Sequence, residues 1–185
     1  SNKLRLSIGS TQYNSAYVTS DNNIGSANVD ITFSTTLDAV SADAVMEFEF
    51  RWQSGTIGYV MEIGHFSGNW GVSSVADYSQ FMSGSHGGTS GDIVNVRIQA
   101  IGSALKVKTW LNGAGEPGTW SDEATNTAHA ADGKLRFGIY SNAFASGYTD
   151  IEFISVDDTQ VGHPARRRLG GVAFTSPGSS AVRRW

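Results

Sequence analysis

The sequence predicts an all-β protein: two antiparallel sheets packed face to face as a jelly-roll sandwich, with extended N- and C-terminal arms. Two observations predict it. Short apolar stretches alternate with polar residues at the two-residue period of a half-buried strand, as in Met46, Phe48, Phe50 and Trp52 against Val45, Glu47, Glu49 and Arg51. Between them lie Ser, Thr and Asn with 22 glycines and only three prolines in 185 residues, the punctuation of many turns and little helix.

In chain order the alternation places strands at 4–8, 29–33, 44–52, 56–63, 92–101, 104–111, 135–140 and 149–156. In 104–111, Leu105, Val107, Thr109 and Leu111 face one way and Lys106, Lys108 and Trp110 the other. The run Asn112-Gly113-Ala114-Gly115-Glu116-Pro117-Gly118 that follows is a turn, with Gly for positive φ and Pro fixing its own φ. Eight or more such strands without intervening helices stack as two sheets about 10 Å apart. The expected core is Met46, Phe48, Phe50, Val94, Val96, Ile98, Leu105, Val107, Leu135, Phe137, Ile139, Ile151 and Phe153. Residues 1–28 read as an N-terminal strand and a polar arm or meander, 29–160 as the sandwich, and 161–185 as a basic tail. Residues 64–91 read as a long insertion with one short strand around 78–82.

Composition narrows the chemistry. With no cysteine there is neither a disulfide framework nor a thiolate metal site, and no run is long and apolar enough to cross a bilayer. No leader pattern stands at the start, so a soluble chain with no membrane partner is expected. The net charge of −4 conceals an asymmetry: residues 1–160 hold all seventeen acids against eight bases, a net of −9, whereas 161–185 hold five arginines and no acid. An acidic body disfavours nucleic acid despite Arg97, Lys106, Lys108 and Trp110.

Several constellations bear on function. Glu47 and Glu49 lie two apart on one strand face, as a sandwich glycosidase presents its carboxyls, but the third acid of an E-x-D-x-x-E pattern is replaced by the Arg51-Trp52 stretch. The reading preferred is an exposed outer face salt-linked to Arg51 or Arg97, with no enzyme activity. Trp70 and Tyr78, with Asn69, Asp77, His86 and Phe81, give aromatic faces beside amide and carboxylate groups, the chemistry of sugar recognition. Asp77, Asp92 and Asp122 lack the spacing of a calcium loop, and the four histidines lack metal-ligand spacing, so no metal or cofactor is expected.

The run Val96-Arg97, Gly102, Leu105-Lys106, Lys108, Trp110, Gly113, Glu116-Pro117 and Trp120 resembles a strand pair of the concanavalin A-like, laminin-G-like sandwich domains of phage virion proteins and secreted bacterial proteins. Residues 28–35, 135–140 and 150–156 fit the opening and closing strands of that pattern, so the likeness covers roughly 28–157. The stretch Ala165-Arg166-Arg167-Arg168-Leu169-Gly170-Gly171-Val172-Ala173-Phe174 resembles short R-L-G-G-V-x-F extensions of phage structural proteins.

The resemblance implies a non-enzymatic virion structural protein, a capsid decoration or tail-associated subunit docking through its termini and forming homo-oligomers in an assembly. In that reading Arg166, Arg167, Arg168, Leu169, Val172, Phe174, Arg183, Arg184 and Trp185 hold other virion proteins. The alternative it implies is a lectin-like module of a phage adhesin or secreted bacterial protein, binding a cell-surface glycan through Asn69, Trp70, Asp77, Tyr78 and His86.

Overall fold

The computed structural model describes residues 3–9, 14–39, 44–64, 67–141, 147–158, 174–175 and 183–184. Among them run β1 (Lys3–Ile8), β2 (Asn14–Ser20), β3 (Val29–Ala39), β4 (Ala44–Ser54), β5 (Ile57–Gly64), β6 (Asn69–Ser74), β7 (Gln80–Ser85), β8 (Ile93–Ile101), β9 (Ala104–Leu111), β10 (Asp122–Thr125), β11 (Lys134–Ser141), β12 (Gly147–Asp158), β13 (Phe174–Thr175) and β14 (Arg183–Arg184). They form two seven-stranded sheets, ordered β10-β9-β8-β3-β12-β1-β14 and β13-β2-β11-β4-β5-β6-β7. The fold is an all-β antiparallel jelly-roll sandwich, as the alternation predicts.

Each predicted strand is present, and the predicted core is buried wherever its side chains are described; Phe153 lies outside the described side chains. Phe33 of the first sheet meets Phe48 and Phe137 of the second at ring-centroid distances of 4.8 and 5.3 Å, closing the gap between the layers. Aromatic contacts continue through Phe50 and Tyr59 to Phe81. Burying such rings in tilted and edge-on geometry removes 150–250 Å² of apolar surface apiece, in round terms about, and sets the stability of the sandwich.

Two polar stretches are more regular than their composition suggests. Residues 14–20, expected in an arm, form β2, whose Ala16 and Val18 face the core and which pairs along β11. The 64–91 insertion contains two strands, β6 and β7, extending the second sheet beyond β5. Their small residues conceal a period-two pattern because Gly71, Ser73, Ser83 and Ser85 carry little hydropathy contrast.

The resembling motif has a structural role. Arg97 grips Asp30 through two hydrogen bonds, Nε to Oδ1 at 2.8 Å and Nη2 to Oδ2 at 2.7 Å, and its Nη1 donates to Glu116 at 2.6 Å. Lys108 donates to the Pro117 carbonyl at 2.9 Å and lies 4.7 Å from the Trp120 ring centroid. Arginine, lysine, Glu-Pro and tryptophan thus pin the 112–121 loop against the outside of the first sheet.

A distortion in β4 decides where its charges go. Arg51 has φ of 51°, a left-handed value costly for a residue with a Cβ, and the pairing with β5 shifts register between Phe50 and Ser54. The guanidinium is thereby turned inward, donating to the carbonyls of Ala27, Gly102 and His129. Trp52 instead comes to the outer face. Arg51 therefore does not salt-link Glu47 or Glu49, and Arg97 belongs to the other sheet.

Candidate functional site

The outer face of the second sheet carries the densest chemistry. Register aligns Tyr17, Gly138, Glu47, Glu62, Gly71 and Ser83 in a single row across β2, β11, β4, β5, β6 and β7. Beside it, Thr19, Arg136, Glu49, Val60, Ser73 and Gln80 form a second row. Alternation puts these side chains opposite the core-facing Met46, Phe48 and Phe137.

One half of the face is closed. Tyr17 lies across Gly138, where an added Cβ would stand 2.2 Å from the ring, and its hydroxyl donates a 2.6 Å hydrogen bond to Glu47 Oε2. Arg136 stacks on Tyr17, 3.7 Å from the ring centroid, sits 5.4 Å from that of Trp52, and donates to both Glu49 oxygens at 2.8 and 3.0 Å. Beneath this lid Glu47 and Glu49 are 4 % and 3 % exposed, correcting the expectation of an open, solvated face.

Burial dominates the titration of these groups. It pushes Glu47 up to about 7; the Tyr17 hydrogen bond opposes the shift, Glu49 and Glu62 add to it, and Arg136 opposes it. Burial also raises Glu49 against the pull of Arg136, and raises Glu62. The Tyr17 hydroxyl is held above its ordinary range by burial and then by Glu47.

The other half is open. A groove of about 540 Å³ is lined by Val45, Glu62, Ser67, Asn69, Gln80 and Ser83 with the small residues Gly64, Gly71 and Gly84. Trp70 also borders it, but its ring is 3 % exposed and packs under Gly84, where an added Cβ would lie 2.5 Å from the indole.

The sugar-binding residues expected from the sequence are thus divided. Asn69 and Trp70 border the groove, although Trp70 presents no open stacking face. Tyr78 stands on the β6–β7 turn, 56 % exposed with φ of 54°, within the electrostatic reach of Glu47, Glu49 and Glu62. Asp77 is spent on the Ser79 amide and hydroxyl in that turn. His86 is buried: its Nε2 bonds the Gly64 carbonyl at 3.1 Å and its Nδ1 accepts from the Gly88 amide at 3.1 Å, so it locks a loop.

Tyr17, Glu62, Gln80 and Arg136 were not singled out in the sequence. Glu62 and Arg136 occupy outward positions of predicted strands, a signal that becomes a site only when the strands are ordered. Asp92 is tied to Thr89 and Asp122 to the Ser83 amide, and among the described residues no three potential metal ligands gather. Of the tail residues expected to bind a partner, Phe174 lies in β13 beside β2, and Arg183 and Arg184 in β14 beside β1; the others lie outside the described residues.

No protein-family model matches the sequence, and no curated protein matches it. Solved structures match the fold. A carbohydrate-binding module, CBM66 of Bacillus subtilis, superposes with a TM-score of 0.59 at 9 % identity, covering 79 % of this chain and 83 % of that one. A β-glucanase of Bacillus licheniformis gives 0.61 at 12 % identity over 82 % and 77 %. A seed lectin of Lotus tetragonolobus gives 0.57 at 12 % over 82 % and 86 %. The chain shares the concanavalin A-like jelly-roll architecture of lectins, carbohydrate-binding modules and glucanases.

Proposed function

We propose that this chain is a carbohydrate-binding module that seats a glycan in the groove on the outer face of its second sheet. The observation that carries this reading is the groove itself: about 540 Å³, with a floor of small residues and with amide, hydroxyl and carboxyl groups from Asn69, Gln80, Ser67, Ser83 and Glu62 converging on it. Such a volume suits a small ligand, and such groups match sugar hydroxyls. The lectin-like architecture supports the reading.

Binding without hydrolysis is the form we favour. Glycosidic cleavage needs two carboxyls that both reach the bond, whereas Glu47 and Glu49 are shut beneath Tyr17 and Arg136, leaving Glu62 as the carboxyl on the groove. A glycan array followed by calorimetry tests the reading. Asn69→Ala and Gln80→Ala, both at exposed positions, are expected to weaken the best hit about tenfold each. A hit unchanged by both, or product release abolished by Glu62→Gln, would overturn it.

A second reading is a virion subunit docked on capsid or tail proteins through its termini. It is supported by the acidic body with its arginine-rich end and by the motif resemblances. Electron microscopy of purified particles tests it: density for the sandwich supports the role, and particles lacking the chain reject it.

A further inference from the structure

The groove on the outer face has a direction. Its lining follows β6 and β7, from Asn69 opposite Ser85, through Gly71 opposite Ser83, to Gln80 opposite Ser73. Each two-residue step along β6 advances about 7 Å toward the β6–β7 turn, which carries Tyr78. Tyr78 and Ile57 are the exposed large hydrophobic side chains among the described residues, and the Tyr78 hydroxyl forms no hydrogen bond among them. Partial burial raises that hydroxyl above the ordinary tyrosine range, and Glu47, Glu49 and Glu62 add to the shift against Arg136. All four charges stand on the outer face, so the ring leans back over that face from the end of the groove. The turn is tied in place: the Tyr78 amide donates to the Ser74 carbonyl at 2.9 Å, and Asp77 accepts from the Ser79 amide and hydroxyl. Tyr78 itself holds a left-handed φ of 54°, costly for a bulky residue, and the core makes no use of its ring.

We infer that the site is longer than the groove and takes a neutral oligosaccharide of two or more units lying along β6 and β7, one unit among Asn69, Gln80 and Glu62 and the next stacked on the Tyr78 ring. This rests on the glycan-binding reading and names its substrate class. A tyrosine ring offers a flat apolar surface with only two torsions to immobilise, and the tied turn has already paid for its placement. Pyranoses whose hydroxyls are all equatorial carry C–H bonds on both faces, so glucose-configured units suit that surface. Uronate chains are disfavoured, because Glu62 is the charged group among the described residues lining the groove.

The test is calorimetric titration of the intact chain with linear β-1,4-linked glucose oligosaccharides of one to four units. Affinity should step up about tenfold or more between one unit and the two- or three-unit chain and change little beyond. Tyr78→Ala should abolish the step while leaving the single-unit affinity as it was, and Tyr78→Phe, which keeps the ring and drops the hydroxyl, should retain it. Equal affinity at every length, or a step that survives Tyr78→Ala in a protein of unchanged circular dichroism, would overturn the extended site while leaving the groove reading intact. Loss of the step in Tyr78→Phe would overturn the stacking, and binding of no length would overturn the assignment to glucose-configured chains. The groove reading fails separately, through a blank glycan array or a best hit unchanged by Asn69→Ala and Gln80→Ala.

Discussion

The Tyr17 hydroxyl reaches Glu47 from two strands away because Gly138, between them, has no side chain to block it. Gly138→Ala should place a methyl inside the Tyr17 ring and cost about 1–3 kcal/mol by overpacking. Tyr17→Phe should cost a similar amount by stranding a buried carboxyl. If the alanine acts by displacing Tyr17, the double variant will be less destabilised than the sum of the singles in urea unfolding. Strict additivity would separate the two positions.

Glu47 should make stability fall as pH rises. Its folded pKa, about 7, lies above the unfolded carboxylate value, so the native state holds the proton more tightly between those limits. The associated stability is complete at acid pH and lost as pH climbs through about 7. Glu47→Gln keeps an acceptor for Tyr17 and removes the ionisation. Thermal melts should show the variant gaining on the parent by on the order of 1–3 kcal/mol between acid and mildly alkaline buffer. A constant difference across that range would refute the buried-proton account.

His86 should act in the opposite direction. Burial lowers its pKa, and its neutral Nδ1 accepts the Gly88 amide proton. This contribution is present above the ordinary histidine pKa and is lost as pH falls through the lowered one. Amide exchange at Gly88 should accelerate on acidification before the strands around it open. An exchange rate that tracked global unfolding instead would count against a local lock.

Arg51→Met should be severe. Arg51 is 1 % exposed, and its guanidinium makes four hydrogen bonds to the carbonyls of Ala27, Gly102 and His129. Loss of these donors is expected to cost about 3–5 kcal/mol, and Arg51→Lys should recover little because an ammonium cannot reproduce the planar fork. Recovery of most of the stability by lysine would show that charge alone matters there.

Removing 162–185 should leave the sandwich folded. β13 and β14 each pair through only two residues, with β2 and β1 respectively, whereas β1 and β2 are held on their other sides by β12 and β11. A cooperative melt of the shortened chain is expected. Its failure to fold would make the tail an obligatory part of both sheets.

The parts of the fold legible in advance are those written as hydrophobic contrast. Met46, Phe48 and Phe50 against Glu47 and Glu49 can belong only to a strand with two different faces, and the glycine-rich spacing between such strands excludes helices. Of the two strands in the 64–91 insertion the sequence shows a single short one, around 78–82 and overlapping β7, while β6 is hidden because glycine and serine supply no contrast on the outward positions. Arg51 could not be placed from its spacing at all, since a positive φ at one residue reverses which side the next side chains take.

The candidate site obeys the same division. Alternation by itself determined that Glu47, Glu49 and Arg136 point away from the core, because side-chain direction along a strand is a local property with a period of two. Only the tertiary structure decided that Glu62, fifteen residues after Glu47 in the chain, stands opposite it, that Tyr17 covers it from β2, and that Trp70 is buried beneath Gly84 and not open to a sugar. Strand order and register are set by long-range pairing, which single-strand periodicity does not encode. Whether an outward charge is solvated or enclosed depends on the neighbours that pairing supplies.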